Sequence, residues 1–452
     1  MNKLLKNLIL FVFLFLTCSN IPAWAACTGG PVTWYTTADE ASVDSCISQA
    51  DDGDTINVAS GTDTWASVGW SNKNISLIGA GIGQTNITLS ANCSISVVAD
   101  TKAGFRVSGF TFSIGSGDGS TASIQFKNNT ATARSGFRVD SCRFVTTENA
   151  GTGAHRIIAV IGLAYGLIDS CTFDIGHIMA GLSVFPYVEA TETVSNMGRE
   201  SWENNALDLG GPSAVYIEDC TFNYTGTEGQ SRTIDAAYGS RIVYRHNTST
   251  DISPMTHWNN GEGRRGPLKM EIYENSFIAN RLVLDVGWLL GGTGVIFNNN
   301  VSGAGWSTAN WKFEERRSCT GDCGGTNEID KNTDGETGWA CADQIGRGGG
   351  AYQSQPSVPF YIWNNGTAGV TLQGSCDNPS LQSAHIITTA HSNGDKDYCV
   401  GETTMPTSCG THTNTYVSYT YPHPLRGAVT GQTTYGVTGS MVHSGSGSTI
   451  YQ

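Results

Sequence analysis

A short phrase recurs seven times along this chain of 452 residues and constrains its fold more than any other feature. Each copy holds an apolar stretch, two polar residues, a Cys or Asn, and a small polar or apolar pair. Aligned, the copies place one residue of each in a single column: Cys142, Cys171, Cys220, Asn247, Asn275, Asn300 and Asn365. Four of the six gaps are 25–29 residues long, and the other two are 49 and 65. Units of that length predict a solenoid in which each unit is one coil and the long gaps hold insertions.

The coils are predicted to consist of β-strands. The apolar runs are three to six residues long and rich in Val, Ile, Phe and Tyr, which favours strands over helices. Stacked parallel strands lie about 4.8 Å apart, so like residues stack in columns. We therefore expect the cysteines of the column to be buried thiols and its asparagines to share amide hydrogen bonds along the solenoid axis.

The first residues have the pattern of an export signal, which we assign to residues 1–25. Lys3 and Lys6 precede an apolar run of about ten residues, too short to span a bilayer. Ala23-Trp24-Ala25 then fits a cleavage site, with a retained anchor as the alternative. We predict a secreted protein, extracellular or periplasmic, that has no membrane contact after signal cleavage.

The mature chain is predicted to form one long body with two ends. Its units are an N-terminal cap with the first rungs at 26–85, a β-helix at 86–370 with insertions at 174–212 and 303–358, and a C-terminal cap or tail at 371–452. A short helix that opens at Thr37-Ala38-Asp39-Glu40 is expected to plug the first rung. Such a plug is needed because an open rung exposes strand edges and core.

Cysteine usage and charge narrow the class of protein further. Export to an oxidising compartment favours disulfides, and the candidates outside the repeat column are Cys27, Cys46, Cys319, Cys323, Cys341, Cys376, Cys399 and Cys409, with Cys93 open to either use. Cys319 and Cys323 lack a second Cys/His pair at metal spacing, so we assign no metal ligands. The net charge of −14 argues against nucleic acid and anionic membranes as partners.

Several stretches carry a resemblance to a known family. GDTI at 53–56 with SLIGAG at 76–81, RIVYRHN at 241–247, EIYEN at 271–275, DQIGR at 343–347, YIWNN at 361–365 and YPHPL at 421–425 are the stretches in question. The chain resembles the pectate-lyase-like superfamily of secreted right-handed parallel β-helix proteins over nearly all of its mature length, and within it a loose, functionally undefined bacterial group. That group usually has His-Gly where this chain has His257-Trp258.

The resemblance implies both a fold and a chemistry. The implied fold is all-β: a single-stranded right-handed parallel β-helix (a solenoid) with an N-terminal capping helix and long loop insertions. The implied chemistry is β-elimination of an acidic polysaccharide, which needs a base and a cation that stabilises the developing charge. Ca²⁺ is a candidate cofactor on the same ground. Asp140, Asp169, Glu218 and Asp219 form an acidic stripe in which two or three carboxylates could hold it, with surface ladder charge as the alternative.

The positions just before the repeat column suggest where a site could lie. Alternation along a strand makes us expect His246 one rung from Asp219 and one rung from Glu274, with Arg245 between Glu218 and Tyr273. Two carboxylates beside His246 predict a raised pKa for that histidine. The alternative is a surface ladder in which paired charges hold the stack in register.

A locally basic segment gives the remaining site candidates. Residues 231–281 hold seven Lys or Arg and five acids in an otherwise acidic protein, which suits a polyanionic sugar, with ordinary solvated charge as the alternative. The predicted catalytic residues are Arg245, His246, His257, Arg264 and Arg265. The predicted substrate-binding residues are Lys269, Tyr273, Trp258, Arg241, Asp219 and Glu274.

Three functions remain open at this point. The first is a polysaccharide lyase that cleaves a uronate-containing glycan by β-elimination. The second is a glycoside hydrolase on the same fold that uses acids such as Asp219 and Glu274. The third is a non-catalytic carbohydrate-binding or cell-surface β-helix, because the fold alone does not separate these functions. In each case the expected partner is a polysaccharide, acidic for the lyase, and the expected state is a monomer.

Overall fold

Three long parallel sheets wind around a common axis in a computed structural model of the chain. The described residues are 27–90, 94–115, 122–146, 155–193, 196–227, 231–256, 264–315, 343–351, 355–374 and 395–427. Between residues 55 and 315 each coil contributes one strand to each sheet in turn, which is the predicted right-handed parallel β-helix. Among the described strands, antiparallel pairing joins β1 (Thr28–Gly29) to β2 (Thr33–Thr36) and β33 (Ser408–Cys409) to β34 (His412–Thr413) in a small hairpin, and an isolated antiparallel bridge joins Arg347 to Ser357.

The first sheet has thirteen strands. They are β1 (Thr28–Gly29), β2 (Thr33–Thr36), β3 (Thr55–Val58), β6 (Ser76–Gly79), β9 (Arg106–Ser108), β12 (Arg134–Asp140), β15 (Ala164–Asp169), β18 (Val215–Glu218), β21 (Arg241–Arg245), β24 (Lys269–Tyr273), β27 (Thr293–Phe297), β30 (Phe360–Trp363) and β32 (Tyr398–Gly401).

The second and third sheets have nine and ten strands. The second comprises β4 (Gly61–Trp65), β7 (Thr85–Leu89), β10 (Thr111–Ile114), β13 (Arg143–Thr146), β16 (Thr172–Ile175), β19 (Thr221–Tyr224), β22 (Thr248–Thr250), β25 (Ser276–Ile278) and β28 (Asn300–Ser302). The third comprises β5 (Val68–Ser71), β8 (Ile95–Val98), β11 (Ala122–Lys127), β14 (Arg156–Ile161), β17 (Ala180–Phe185), β20 (Arg232–Ala236), β23 (Ser253–Thr256), β26 (Gly287–Leu289), β29 (Trp311–Glu315) and β31 (Val370–Gly374). The hairpin is β33 (Ser408–Cys409) with β34 (His412–Thr413).

The interior is filled by stacked like residues, because each coil presents the same slot to the axis. In the second sheet Phe112, Phe144, Phe173 and Phe222 stack with ring centroids 5.6, 4.7 and 4.7 Å apart. The thiols of the repeat column are free and buried, as the sequence predicts: Cys142, Cys171 and Cys220.

The first rung is closed by a helix, as predicted. Helix α1 (Glu40–Gln49) begins after Asp39, whose carboxylate accepts the Ser42 amide at 3.0 Å and so caps the first turn. Its buried face packs on the first strands, and the Cys27–Cys46 disulfide ties it to β1. A second disulfide, Cys399–Cys409, joins β32 to the hairpin. The other predicted disulfide cysteines and Cys93 lie outside the described residues.

The long connections all leave the third sheet and return to the first. They follow β17, β23, β29 and β31, and the first of them contains the short helix α2 (Arg199–Glu203). Residues 180–185 and 311–315, which the sequence analysis placed inside insertions, form the strands β17 and β29. No helix among the described residues is long and apolar enough to cross a membrane.

The outer face of the first sheet is covered by the end of the described chain. Residues 414–427, which we call the strap, run from β27 back toward β12 and end in a 3₁₀ turn (Pro424–Arg426). The Tyr416 ring meets Phe297 at 6.1 Å, and the Arg138 guanidinium reaches the Arg426 carbonyl at 3.1 Å. Any side chain that points outward beneath the strap is therefore buried.

Candidate functional site

In seven successive coils, one residue of left-handed conformation follows the strand of the first sheet and makes the corner. These seven residues, which we call the turn ladder, have φ between 51° and 57°: Ser141, Ser170, Asp219, His246, Glu274, Asn298 and Asn364. Side chains that are not Gly rarely adopt this region, although Asn, Asp and His do so more readily than others. The turn ladder points outward at the edge of the strap, so its side chains reach the surface.

The residue after each turn-ladder member points inward and supports the corner. The Asn275 amide donates to the Asn299 carbonyl oxygen at 2.9 Å, and Asn299 donates to Asn365 at 2.8 Å. Our prediction of Asn300 in this column was wrong by one residue: Asn299 occupies the slot, and Asn300 begins β28 beside Ser276. The three consecutive asparagines at 298–300 allow more than one alignment of the repeat. The observed register places Asn298, not Asn299, in the turn ladder.

Asp219, His246 and Glu274 occupy three successive rungs of the turn ladder, as predicted from the spacing. We call these three residues with Tyr421 the Asp219–Glu274 site. The His246 Nε2 atom lies 3.0 Å from a Glu274 oxygen, and the side chains of these two residues are 23% and 41% exposed. Tyr421, from the strap, stacks on the His246 ring with centroids 3.7 Å apart and donates its hydroxyl to Asp219 at 2.9 Å.

The electrostatics of His246 differ from the prediction. Burial lowers its pKa below the ordinary value and outweighs the carboxylates of Glu274 and Asp219, which act in the opposite direction. The predicted rise in pKa was therefore wrong, because sequence spacing could not show that the Tyr421 ring covers the imidazole. A lowered pKa leaves His246 neutral near pH 7, with one ring nitrogen free to accept a proton.

Strap residues complete the electrostatics of the site. Burial, and after it the hydrogen bond to Asp219, raises the pKa of the Tyr421 hydroxyl, so Tyr421 is a donor at neutral pH. The Arg426 guanidinium contacts Asp219 and lies 2.8 Å from Glu218. Two accessible carboxylates, a neutral imidazole and an exposed phenol ring thus share one edge of the solenoid.

Arg245 lies between Glu218 and Tyr273, as predicted, but it is fully buried beneath the strap. Its Nε and Nη2 atoms lie 2.8 and 2.7 Å from one Glu218 oxygen, and Nη1 donates to the Tyr273 hydroxyl at 3.0 Å. The carbonyls of Tyr419 and Thr420 accept two more hydrogen bonds at 2.8 Å. Burial alone would lower the Arg245 pKa, but Tyr273 and Glu218 outweigh it and raise the pKa. Arg245 therefore holds the strap on the sheet.

Two other basic residues of the predicted site, Arg265 and Arg241, are also buried and contact other parts of the protein. Arg265 is buried against Asp343, with its Nη2 atom 2.8 Å from Oδ1, and its Nη1 atom reaches Glu203 at 2.8 Å. Arg241 donates to the carbonyls of Ser201 and Asn205 at 2.6 and 3.0 Å.

Two more predicted substrate contacts are buried. Lys269 pairs with Glu271 at 3.1 Å, and burial raises the pKa of Tyr273 to about 12. Arg264 is half-buried, and His257 and Trp258 lie outside the described residues. The structure thus brings Asp219, His246 and Glu274 together at the surface and places Arg241, Arg245, Arg265, Lys269 and Tyr273 beneath it.

The acidic stripe considered for calcium is paired with arginines. Arg106 contacts Asp140 at 2.6 Å, and Arg138 contacts Asp169 at 2.8 Å. Within the described ranges, no group of three or more His, Cys, Asp or Glu side chains is arranged to hold a metal ion. Calcium dependence stays a prediction.

Sequence reasoning missed the strap as part of the site. The stretch YPHPL at 421–425 contributes to the family resemblance, but nothing in the repeat pattern joins it to Asp219. Contacts at sequence separations above 200 residues, such as Tyr421 with Asp219, carry no periodic signal.

Comparison with known proteins gives a distant likeness. No protein-family model and no curated protein matches the sequence. Among solved structures, the chain is similar to the catalytic domain of a GH87 alpha-1,3-glucanase in complex with nigerose, with a TM-score of 0.26 and 9% identity over 83% of this chain and 69% of that one. A variant of such a domain in complex with tetrasaccharides gives a TM-score of 0.25 and 10% identity over the same shares. Both likenesses are too distant to indicate what this chain binds.

Proposed function

We propose that this chain is a secreted carbohydrate-active enzyme that hydrolyses a polysaccharide at the Asp219–Glu274 site. The observation that carries the proposal is the pair of accessible carboxylates, one rung to either side of His246. Rungs about 4.8 Å apart put the two backbones roughly 10 Å from each other, and the Glu274 side chain reaches back over His246. Inverting glycosidases hold their two carboxyl groups about 6.5–9.5 Å apart, with room for a water molecule between them.

The contacts of each carboxylate suggest its role. Asp219 accepts the Tyr421 hydroxyl and pairs with Arg426, and these contacts orient its carboxylate, so we assign it as the base that activates water. Glu274 is more exposed and contacts His246, so we assign it as the acid that protonates the leaving oxygen. The Tyr421 ring, 44% exposed, offers a flat apolar face on which a sugar ring can stack.

A lyase is the second candidate, and the lowered pKa of His246 favours it. A neutral imidazole is the form that abstracts a proton, and Arg426 supplies a cation at the same edge. Two considerations favour hydrolysis over this reading. Asp219 and Glu274 repel a uronate carboxylate, and the arginines predicted to neutralise one are buried in ion pairs.

A panel of neutral and acidic polysaccharides tests both candidates with the secreted mature protein. Hydrolysis releases new reducing ends without ultraviolet absorbance, whereas β-elimination leaves an unsaturated product that absorbs. We expect reducing ends alone, from a neutral glycan. Absorbance would support the lyase, and binding without cleavage of any polymer would leave only the non-catalytic reading.

Variants then locate the site. Asp219→Asn and Glu274→Gln should each lower kcat/KM by a factor of about 10² or more, the range for loss of a general acid or base. Glu189→Gln, an exposed acid elsewhere, is the matched control and should leave kcat/KM unchanged. Cleavage that survives both site variants would place the chemistry elsewhere.

A further inference from the structure

A pocket of about 380 Å³ opens at a different corner, where strands of the second sheet pass into the third. It is lined by Tyr224 at the end of β19, Arg232 and Ser253 at the starts of β20 and β23, and Asp251 and Arg281 in the turns between. The turn ladder lies on the other side of the second sheet, so this pocket is separate from the Asp219–Glu274 site. Its volume falls in the range of about 300–1,000 Å³ that is usual for small-ligand sites.

Arg232 is the notable side chain of the pocket. It is only 6% exposed, and its Nη1 atom donates to the Ser253 hydroxyl at 2.7 Å and faces Asp285 at 3.5 Å. Within the described part of the chain, the Nε and Nη2 atoms of Arg232 make no hydrogen bond, and both are accessible to solvent. A buried cation with unused donors is costly, since most buried charges in proteins have their hydrogen bonds satisfied.

The unused donors have a geometry that one class of ligand matches. Nε and Nη2 lie side by side on one edge of the planar guanidinium, with parallel N–H bonds that suit the two oxygens of a carboxylate. The Ser253 hydroxyl accepts from Nη1, on the opposite side of the guanidinium, so its own proton is available to a second polar group of the ligand, such as a sugar hydroxyl. The Trp288 ring packs against one face of the Arg232 guanidinium, with its centroid 5.7 Å from the Cζ atom.

The charge of the pocket wall agrees with an anionic ligand. The pocket lining includes two arginines, Arg232 and Arg281, and one acid, Asp251, in a protein whose net charge is −14. The Arg281 nitrogens donate to Asp251 and to the carbonyls of Gly226 and Tyr224. Arg281 therefore contributes charge and shape to the pocket rather than an unused hydrogen-bond donor. Behind Arg232, Asp285 offsets part of its charge across the longer 3.5 Å contact.

We propose that this pocket binds a carboxylate-bearing sugar acid, held by Arg232 Nε and Nη2 and by the Ser253 hydroxyl. The free sugar acid and a uronate unit within a polymer present the same carboxylate. The proposal does not depend on hydrolysis at the Asp219–Glu274 site.

Calorimetric titration of the mature protein with four probes tests the proposal. D-glucuronate should bind saturably with one equivalent, acetate more weakly, and D-glucose not at all. Tri-galacturonate should bind at least tenfold more tightly than glucuronate if the natural source is a polymer, and no more tightly if it is the free acid. Equal binding of glucose and glucuronate would overturn the assignment, as would the absence of saturable binding by every carboxylate probe.

Paired variants keep the test independent of folding. Arg232→Met alone leaves Asp285 unpaired in the interior, so the informative variant is Arg232→Met with Asp285→Asn, which removes both charges. Provided that its circular dichroism is that of the parent, its affinity for glucuronate should fall at least tenfold, and Ser253→Ala should weaken binding a few-fold. Arg143→Met, which removes an exposed arginine of the second sheet, is the control and should bind normally. Undiminished binding by the double variant would place the ligand elsewhere.

Discussion

Replacement of Arg245 by Met should loosen the strap and destabilise the protein by about 3 kcal/mol. Arg245 is fully buried, and its guanidinium joins Glu218, the Tyr273 hydroxyl and two strap carbonyls. Removing one partner of a buried ion pair typically costs about 3–5 kcal/mol, because the remaining charge is left without compensation. Here Glu218 retains Arg426 at 2.8 Å and the His423 amide at 3.0 Å, so we expect the lower end of that range.

Two measurements on the same variant check this expectation. Denaturant unfolding followed by circular dichroism gives the loss of stability, and limited proteolysis reports whether residues 414–427 become accessible to cleavage. Arg143→Met is the matched control: its guanidinium is about half exposed and pairs with Asp174, so its loss should cost less than about 1 kcal/mol. Arg245→Lys should recover little, since a lysine cannot reproduce the five contacts of the planar fork.

A destabilisation of less than about 1 kcal/mol by Arg245→Met, together with a strap that stays resistant to protease, would contradict this expectation, because breaking a buried ion pair of this kind costs more than that. A variant that keeps full stability but loses all cleavage activity would restore the sequence-based prediction that Arg245 is catalytic. Stability and activity must therefore be measured on the same preparation.

Two further predictions concern the strap and the inner asparagines. Burial and the cations of Arg245, Arg138 and Arg426 lower the pKa of His423 to about 3, so below pH 6.5 the unfolded state binds a proton that the folded state does not. Stability should then fall as the pH falls, by about 2 kcal/mol at pH 5, and His423→Gln should remove that part of the pH dependence of unfolding. Asn275→Ala leaves the Asn247 backbone amide without its partner and removes a donor from each of the buried Tyr244 and Tyr273 carbonyls, which should cost about 3 kcal/mol in denaturant unfolding, whereas Asn300→Ala on the exposed edge should cost under about 0.5 kcal/mol. A loss at Asn275 no greater than at Asn300 would contradict the inner ladder.

The sequence predicted well whatever depends on the rung repeat. The stacked thiols, the position of Arg245 between Glu218 and Tyr273 and the neighbours of His246 all follow from a spacing that can be read off the chain. The one error of register, Asn300 in place of Asn299, arose where three identical residues made two alignments equally good.

The sequence predicted poorly whatever depends on the strap. Arg245 meets Tyr419 across 174 residues and His246 stacks on Tyr421, and neither contact has a periodic signature. The strap covers the outer face of the first sheet, which the sequence predicted to be open. Arg245, which was expected to bind substrate, therefore binds the backbone carbonyls of the strap. The same cover also reverses the expected shift of the His246 pKa, since burial outweighs two nearby carboxylates.

Arg245 and His246 are adjacent in sequence, yet the structure gives them opposite environments. Arg245 ends a strand on the outer face of the first sheet, where Glu218 and the strap neutralise it, as Arg106 and Arg138 neutralise Asp140 and Asp169 in the earlier rungs. His246 lies one residue further, in the left-handed turn at the edge of the strap, where Asp219 and Glu274 remain accessible. Charge on the sheet face is therefore internally balanced, whereas the Asp219–Glu274 site holds two carboxylates and one arginine, Arg426, which pairs with Asp219. A site with that net negative charge favours a neutral glycan over a uronate, and on this ground we place hydrolysis ahead of elimination.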